Sequence, residues 1–213
     1  MTGRVRQEWS RRVAAEYGSA GITAQVLAWS VQAGLPPGLL YTANRIVRDE
    51  LDHARLSHEV LVALGGAEEP VVLAAEDLSV GGTLVDVVVR NFCLGESFAV
   101  PTFERMRRRA THPAVRPVLD RILEDEAVHR AFGWDALDAL LELAPTLREH
   151  VTIVLPGHVA SFDGYANPRA APPLTDEERG CGLLDHAEYA ELFQSTWTGD
   201  IAPRFVRRGI PIG

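Results

Sequence analysis

Residues 37–64, PGLLYTANRIVRDELDHARLSHEVLVAL, decide the predicted fold of this chain. The apolar residues of this stretch recur at the spacing of an amphipathic α-helix, as at Ile46, Val47, Ala54 and Leu61. Gly65 and Gly66 follow as a stop signal, because glycine readily ends a helix. The stretch therefore predicts a long helix with one apolar face.

Three further long helices are predicted on either side of this one. A helix from about Val5 to Gly34 precedes it, and the short Pro-Pro turn between them should make the two pack antiparallel. Residues 65–81 are longer than a helix–helix turn requires and can cross the length of a bundle. Helices at about Thr83–Ala110 and Pro113–Leu143 follow, again joined by a short turn. The prediction is an all-α fold of two antiparallel hairpins joined by one long crossover.

The rest of the chain differs in pattern and predicts a helical extension. A possible helix from about Thr146 to Tyr165, a Pro/Ala-rich loop from Asn167 to Pro173 and a last helix from about Leu184 to Gln194 follow one another. We therefore divide the chain into a four-helix bundle, residues 1–144, and an extension, residues 145–213. Aromatic residues that a free tail would expose predict that the extension packs on the bundle and helps to close its pocket. They are Phe162, Tyr165, Phe193, Trp197 and Phe205.

Two Glu-x-x-His motifs lie on these helices, Glu50 to His53 on the second and Glu126 to His129 on the fourth. Positions three apart share a helix face, so each motif directs a carboxylate and an imidazole at one point. The spacing alone is a weak signal, because roughly half of one such motif is expected by chance in a chain of this composition. The position of the partner glutamates decides the interpretation.

The positions of the partner glutamates can be predicted from the hairpins. Residues equally far from the turn of an antiparallel hairpin lie at the same level along its two helices. The first turn centres near Leu35, which places the partner of the first motif at about position 18, and Glu16 is found there. The second turn centres near Thr111, which places the other partner at about position 95, and Glu96 is found there. Both stand on predicted apolar faces, where an unpaired carboxylate is costly and a divalent cation would compensate it.

In this arrangement six residues resemble the metal ligands of the ferritin-like di-iron carboxylate superfamily: Glu16, Glu50, His53, Glu96, Glu126 and His129. The superfamily includes ferritins, rubrerythrins, the ribonucleotide reductase small subunit, bacterial multicomponent monooxygenases and aldehyde-deformylating oxygenases. The resemblance covers roughly residues 5 to 144 and implies a ferritin-like four-helix bundle. It also implies that Glu50 and Glu126 bridge two metal ions, that the other two glutamates are terminal, and that each histidine ligates one metal.

An aspartate precedes each motif glutamate, at Asp49 and Asp125. In oxygen-activating members of the superfamily this position commonly accepts a hydrogen bond from the ligand histidine of the opposite motif, which fixes the histidine tautomer. The resemblance therefore implies that Asp49 lies beside His129 and Asp125 beside His53. The alternative, that both aspartates are solvated helix acids, stays open.

Composition and charge exclude several classes of function. A net charge of −8 with interspersed acids and bases argues against nucleic-acid binding, and the cluster of Arg105 and residues 107–109 is interpreted as a solvated helix end. All 21 basic residues are arginine, which excludes chemistry that requires a lysine. Cys93 and Cys181 lack the spacing of a disulfide framework or a thiolate metal site. Neither a signal core nor a membrane-spanning run is present, so we expect a soluble, cytoplasmic protein with no membrane partner.

Other polar residues receive simpler interpretations. The remaining histidines are interpreted as surface or satisfied core residues, although one of His150 and His158, which share a helix face, could line the pocket. Cys93, one turn before Glu96, is interpreted as a buried small residue near the metals. Ser19 and its small neighbours are expected to leave room for a substrate.

The function that the resemblance implies is that of a non-haem di-iron oxidase or oxygenase. Such an enzyme uses two iron ions, O₂ and an external electron donor, protein or reductant, to oxidise a small organic substrate. The oxygen and nitrogen ligands also accept Mn/Fe and Mn/Mn pairs, and a monomer or small homo-oligomer is expected. One alternative is a ferroxidase, iron-storage protein or rubrerythrin-like peroxidase, although the cysteine pairs of a rubredoxin module are missing. A metal-free helical scaffold is the third.

Overall fold

The computed structural model describes residues 1–69, 81–166 and 171–212, and in these ranges the fold is all-α without strands. The predicted crossover at residues 65–81 falls mostly on residues 70–80, which lie outside the described ranges. The same holds for residues 167–170 of the Pro/Ala-rich loop.

The first hairpin consists of α1 (Gly3–Ala33) and α2 (Pro37–Ala63), in agreement with the predicted bounds to within two residues. The Thr2 hydroxyl accepts a hydrogen bond from the Val5 amide at the start of α1. Gly34 ends α1 with a φ of 73°, a left-handed conformation that favours glycine. α2 begins at a proline, which has no amide hydrogen to leave unpaired in the first turn. The two helices contact each other along their length.

The second hairpin is a continuous helical run followed by one long helix. The run consists of α3 (Leu84–Val87), a π-helical segment that we call π1 (Val88–Glu96) and α4 (Ser97–Arg109), and the long helix is α5 (Val115–Leu143). Their extents agree with the predicted third and fourth helices, but the π-helical turn was not predicted. α5 packs against π1, α4 and α2, so it joins the two hairpins. We call these four long segments, within residues 3–63 and 84–143, the helical core.

Shorter helices follow in what we call the C-terminal segment, residues 144–166 and 171–212. They are α6 (Leu147–Ala160), α7 (Asp163–Ala166), α8 (Asp176–Gly180), α9 (His186–Thr196), a π-helical turn at Trp197–Ile201 and α10 (Ala202–Arg207). A turn at residues 161–162 divides the predicted helix from 146 to 165. α8 and α10 were not predicted, because each has too few residues to produce a helical period.

Aromatic residues attach the C-terminal segment to the helical core. Phe193 meets Phe98 with ring centroids 5.5 Å apart, and Phe205 meets Trp134 at 5.0 Å. The Trp9 indole also donates a hydrogen bond to the Cys181 carbonyl, at 3.0 Å. Of the other predicted aromatic residues, Phe162 and Trp197 are partly buried and Tyr165 stays 46% exposed.

The arginine cluster at the end of α4 is more than the solvated helix end that the sequence suggested. Arg107 pairs with Asp120 at 2.5 Å, and Arg105 approaches Glu191 of α9 at 3.4 Å. Arg109 pairs with Glu188, which is buried. The cluster therefore binds acidic groups of α5 and of the C-terminal segment. No helix in the described ranges has the length and apolar content that crossing a bilayer requires.

Candidate metal centre

Five carboxylate and imidazole residues from four helical segments form two groups of possible metal ligands within the described residues. Glu16, Glu50 and His53 form one, and Glu50, Glu96 and His129 form the other. In each group, one ligand atom from every residue lies within 4.8 Å of the others. Because Glu50 belongs to both, its carboxylate stands between the two positions.

The sixth predicted ligand, Glu126, lies beside these groups without belonging to either. Its Oε1 atom is 4.0 Å from Nδ1 of His53, and its other oxygen is buried and has no hydrogen-bond partner within the described ranges. The Glu126 side chain is buried, as are those of both histidines, Glu16 and Glu50. Only Glu96 of the six retains partial exposure.

Both histidines direct Nδ1 towards the carboxylates. Nδ1 of His53 is 3.7 Å from Oε2 of Glu50, and Nδ1 of His129 is 3.4 Å from Oε1 of the same residue. The two rings lie 5.6 Å apart. Neither Nδ1 atom has a hydrogen-bond partner among the residues that the structure describes, although both are buried. Buried polar atoms are normally paired, so inward-facing nitrogens of this kind require an explanation.

The buried carboxylates disturb one another's protonation. Burial, reinforced by the neighbouring Glu50, raises the pKa of Glu16 well above its ordinary value and raises the pKa of Glu96 to about 7. Burial together with Glu96 and Glu50 also raises the pKa of Glu126. Burial opposes ionisation of Glu50 too, but the adjacent histidines outweigh it and lower its pKa. Without a metal ion the cluster of glutamates tends to keep protons bound, because four carboxylates cannot all ionise in one buried space.

Each histidine has an aspartate behind it. Nε2 of His53 is 3.2 Å from Oδ2 of Asp125, and Nε2 of His129 is 3.6 Å from Oδ2 of Asp49. Both aspartates are buried, so they are not solvated helix acids. An ionised carboxylate can only accept a hydrogen bond, so Nε2 of His53 is the donor in its contact with Asp125, and Nδ1 faces the glutamates.

Two arginines, which sequence reasoning missed, contact these aspartates. Arg45 donates hydrogen bonds to Asp49 and Asp125, at 3.1 and 3.0 Å, and Arg121 also donates to Asp125. Although burial raises the pKa of Asp125, His53 and the two arginines lower it below its ordinary value.

A sequence signal for these arginines exists. The pattern Arg-Ile-x-x-Asp-Glu-x-x-His occurs at residues 45–53 and again at 121–129, with five identical positions in nine. Because each arginine precedes its aspartate by four positions, the two side chains are neighbours on the helix. Ile46 and Ile122 of the pattern are fully buried. Reading the longer pattern would have placed the arginines beside the site.

Ser19 has a contact at the centre that the sequence did not indicate. It was expected only to leave room for a substrate, but its hydroxyl donates a hydrogen bond to Oε1 of Glu50, at 2.9 Å. Glu50 Oε1 is also the oxygen that faces His129, so Ser19 fixes the orientation of the carboxylate that both groups share.

The backbones of π1 and α5 approach each other closely at Gly133. A Cβ atom at Gly133 would lie 2.6 Å from Cβ of Phe92 and 2.8 Å from its carbonyl carbon, so only glycine fits. Gly133 lies one turn after His129, and its carbonyl accepts a hydrogen bond from the Cys93 thiol. Cys93 is thus the buried small residue that the sequence predicts, and burial raises its pKa. π-Helical turns often occur at functional sites, and π1 ends at Glu96.

His150 and His158 lie elsewhere. Nε2 of His150 is 2.7 Å from Oδ1 of Asp86 in α3, and Nε2 of His158 is 3.7 Å from the same oxygen. Neither belongs to the groups of possible ligands described above.

The residues present fit divalent metal ions. The centre offers carboxylate oxygens and imidazole nitrogens, which suit iron and manganese. Four of its buried atoms have no hydrogen-bond partner among the described residues and are of the kinds that bind metal ions. They are Nδ1 of both histidines and one oxygen each of Glu50 and Glu126. The arrangement is compatible with a di-iron site. Comparison of the chain with protein-family models, curated proteins and solved structures finds no match in any of the three.

Proposed function

We propose that this chain is a ferritin-like di-iron oxidase or oxygenase that oxidises a small organic substrate. The observation that carries the proposal is the shared position of Glu50 between two groups, each with its own second glutamate and its own histidine. Two metal ions with a common carboxylate account for this arrangement and for the unpaired Nδ1 atoms.

The six predicted residues have distinct roles in this proposal. Glu16 and His53 would hold one ion, Glu96 and His129 would hold the other, and Glu50 and Glu126 would be shared between them. When bound, the metal pair supplies the electrons and the coordination sites for O₂ chemistry. The chain orients the ligands through Ser19 and the outer aspartates, and its buried surroundings exclude water from the centre.

Two features favour an enzyme over a storage protein. The outer aspartates are buried beside the histidines, an arrangement that by resemblance is common in oxygen-activating members of the superfamily. The C-terminal segment packs on the helical core, whereas a storage ferritin needs little beyond four helices and a short fifth. The proposal includes a small-molecule substrate and an external electron donor.

Metal analysis is the first experiment. Protein from iron-replete growth is expected to hold about two metal ions per chain, the number of positions in the superfamily's site. Glu126→Ala or His53→Ala should leave the helices folded and lose at least one ion, because apolar packing stabilises the helices. Glu124→Ala, which changes an exposed glutamate of the same helix, is the matched control and should bind as the wild type does. Full occupancy in Glu126→Ala contradicts the ligand assignment.

Iron oxidation in air separates an oxygenase from a ferroxidase. A ferroxidase consumes Fe(II) as substrate, whereas an oxygenase keeps its two ions as a cofactor. When about ten Fe(II) per chain are added, we expect rapid oxidation of roughly two and little afterwards. Elution as a monomer or small oligomer should accompany this result. Sustained oxidation inside a large hollow assembly would support the storage function instead.

A further inference from the structure

Arg45 contacts both outer aspartates of the candidate metal centre. Its Nε donates to Oδ2 of Asp49 on the same helix, at 3.1 Å, and its Nη2 donates to Oδ1 of Asp125 on α5, at 3.0 Å. One guanidinium group therefore links the two motif helices behind the two histidines. Arg121, the equivalent residue of the second motif, reaches only Asp125 among these aspartates in the part of the chain that the structure describes.

The two halves of the outer network are consequently unequal. Asp125 is held by two arginines and lies 3.2 Å from Nε2 of His53. Asp49 has Arg45 as its only arginine partner among the described residues, and it lies 3.6 Å from Nε2 of His129. In the described part of the chain that nitrogen has no hydrogen-bond partner. Arg45 is therefore the cation that holds Asp49 behind His129 in this part of the chain.

We propose that Arg45 is a positioning residue that holds Asp49 and Asp125 together behind His129 and His53, so that both imidazole rings keep Nδ1 directed into the metal centre. The inference rests on the proposed function in assuming that metal ions bind at those Nδ1 atoms. Loss of Arg45 affects both metal positions, and it affects the position of His129 more, since Asp125 retains Arg121.

An arginine suits this role better than a lysine does. Its planar guanidinium presents several N–H donors in fixed directions, so it can bind two carboxylates at once, whereas an ammonium is a point charge. The Arg45 side chain is 44% exposed, so its charge alone is screened by solvent. Geometry is then the main contribution, and substitution of such outer partners costs about 10- to 100-fold in metal affinity.

Anaerobic titration of the full chain with Co(II) tests the proposal, because the visible spectrum of Co(II) reports its coordination geometry. Arg45→Gln should weaken Co(II) binding about tenfold and change the spectrum. Arg45→Lys keeps the charge but not the two directed donors, so it should restore the affinity only in part. The matched control is Arg48→Gln, which removes one positive charge from the same helix at an exposed position. It should bind within about twofold of the wild type, as expected for a surface change.

A second measurement does not require metal. In metal-free protein the Nε2 N–H signals of His53 and His129 should exchange slowly in the wild type and in Arg48→Gln, because both rings are fully buried. In Arg45→Gln the His129 signal should exchange faster or disappear, while the His53 signal is affected less. A loss of fold alone would weaken both equally, and Arg45→Lys provides the folded comparison if Arg45→Gln does not fold.

The outcomes separate this inference from the proposed function. If the wild type binds Co(II), and Arg45→Gln matches Arg48→Gln in affinity, spectrum and Nε2 exchange, Arg45 is not a positioning residue and the metal centre stands. If the wild type binds no Co(II), Fe(II) or Mn(II), the proposed metal centre is wrong. The NMR signals then still decide whether Arg45 holds the histidine–aspartate pairs.

Discussion

Two sets of buried carboxylates in this chain are stabilised in opposite ways. In the C-terminal segment, Glu178 accepts hydrogen bonds from the Thr2 hydroxyl and the Thr175 amide, at 2.9 and 3.0 Å. The Thr175 contact lowers the pKa of Glu178. Glu188 is held similarly, by Arg179 at 2.6 Å and by the Asp185 amide at 3.2 Å. Both glutamates are buried, and both have their charge compensated by the chain itself.

The carboxylates of the helical core face one another instead. Arg45 and Arg121 approach this region, but their hydrogen bonds go to the outer aspartates. Burial accordingly raises the pKa of Glu16, Glu96 and Glu126. The comparison separates a carboxylate that fastens one part of the fold to another from a carboxylate whose charge a bound metal ion would compensate under the proposed function.

The largest effect on solubility and activity is expected from removing the C-terminal segment. A chain ending at Ala144 keeps all six candidate ligands but exposes the surface around Phe98 and Trp134, on which Phe193 and Phe205 pack. We expect it to aggregate or lose turnover, because a large apolar patch then faces water, while it keeps some metal. Light scattering after size-exclusion chromatography, with metal analysis, measures both. A chain ending at Ile210 is the control, and a shortened chain that behaves like the full one would mean that the segment is dispensable.

The metal-free protein should lose stability as the pH rises. The pKa of Glu96 is about 7 in the folded chain against an ordinary value of 4.5, so the folded state binds the extra proton. Its contribution is complete below pH 4.5 and is lost as the pH rises to about 7. This difference corresponds to on the order of 3 kcal/mol. Urea unfolding across this range in EDTA measures it.

The control for this pH dependence is Glu96→Gln, which has no titrating group and should flatten the slope. The C-terminal segment should respond in the opposite direction. Because the pKa of Glu178 is lowered, its contribution is present above its ordinary value of 4.5 and is lost as the pH falls through its folded pKa. A metal-free protein whose stability does not change between pH 4.5 and 7 contradicts the raised pKa of Glu96.

Glutamine substitutions should have a smaller effect on the free energy of unfolding, with opposite signs in the C-terminal segment and in the helical core. Glu188→Gln should reduce the free energy of unfolding by about 1–3 kcal/mol, because the Arg109 and Arg179 contacts lose their charged acceptor. Glu126→Gln should instead raise the stability of the metal-free chain, by about 1 kcal/mol, because it removes a carboxylate that is unfavourable to ionise.

Excess Mn(II) should make Glu126→Gln less stable than the wild type, the opposite of the order expected without metal. A ligand at 100 times its dissociation constant stabilises the wild type by about 2.7 kcal/mol, and Glu126→Gln should lose much of this gain. Glu177→Gln, at an exposed glutamate of the C-terminal segment, should change stability by less than about 0.5 kcal/mol. If Glu126→Gln destabilises the metal-free chain as Glu188→Gln does, the core carboxylates are compensated within the protein.

The sequence by itself determined the long helices and the level of the candidate ligands along each hairpin. Apolar periodicity and stop signals located α1, α2 and α5 to within two residues, because they depend on neighbours three or four positions away. Antiparallel register then placed Glu16 level with Glu50 and His53, since height along a hairpin is a matter of counting residues from the turn. That these residues bind metal remains a prediction.

Only the tertiary structure decided what surrounds those residues. Periodicity places Arg45 one turn from Asp49, but its contact with Asp125 depends on the rotation and separation of two helices that are distant in sequence. The pairing of Arg109 with Glu188 has the same origin, as does the π-helical turn opposite Gly133. A local pattern fixes which face of a helix is buried. The polar atoms that meet there depend on how whole helices pack, and no short-range pattern records that packing.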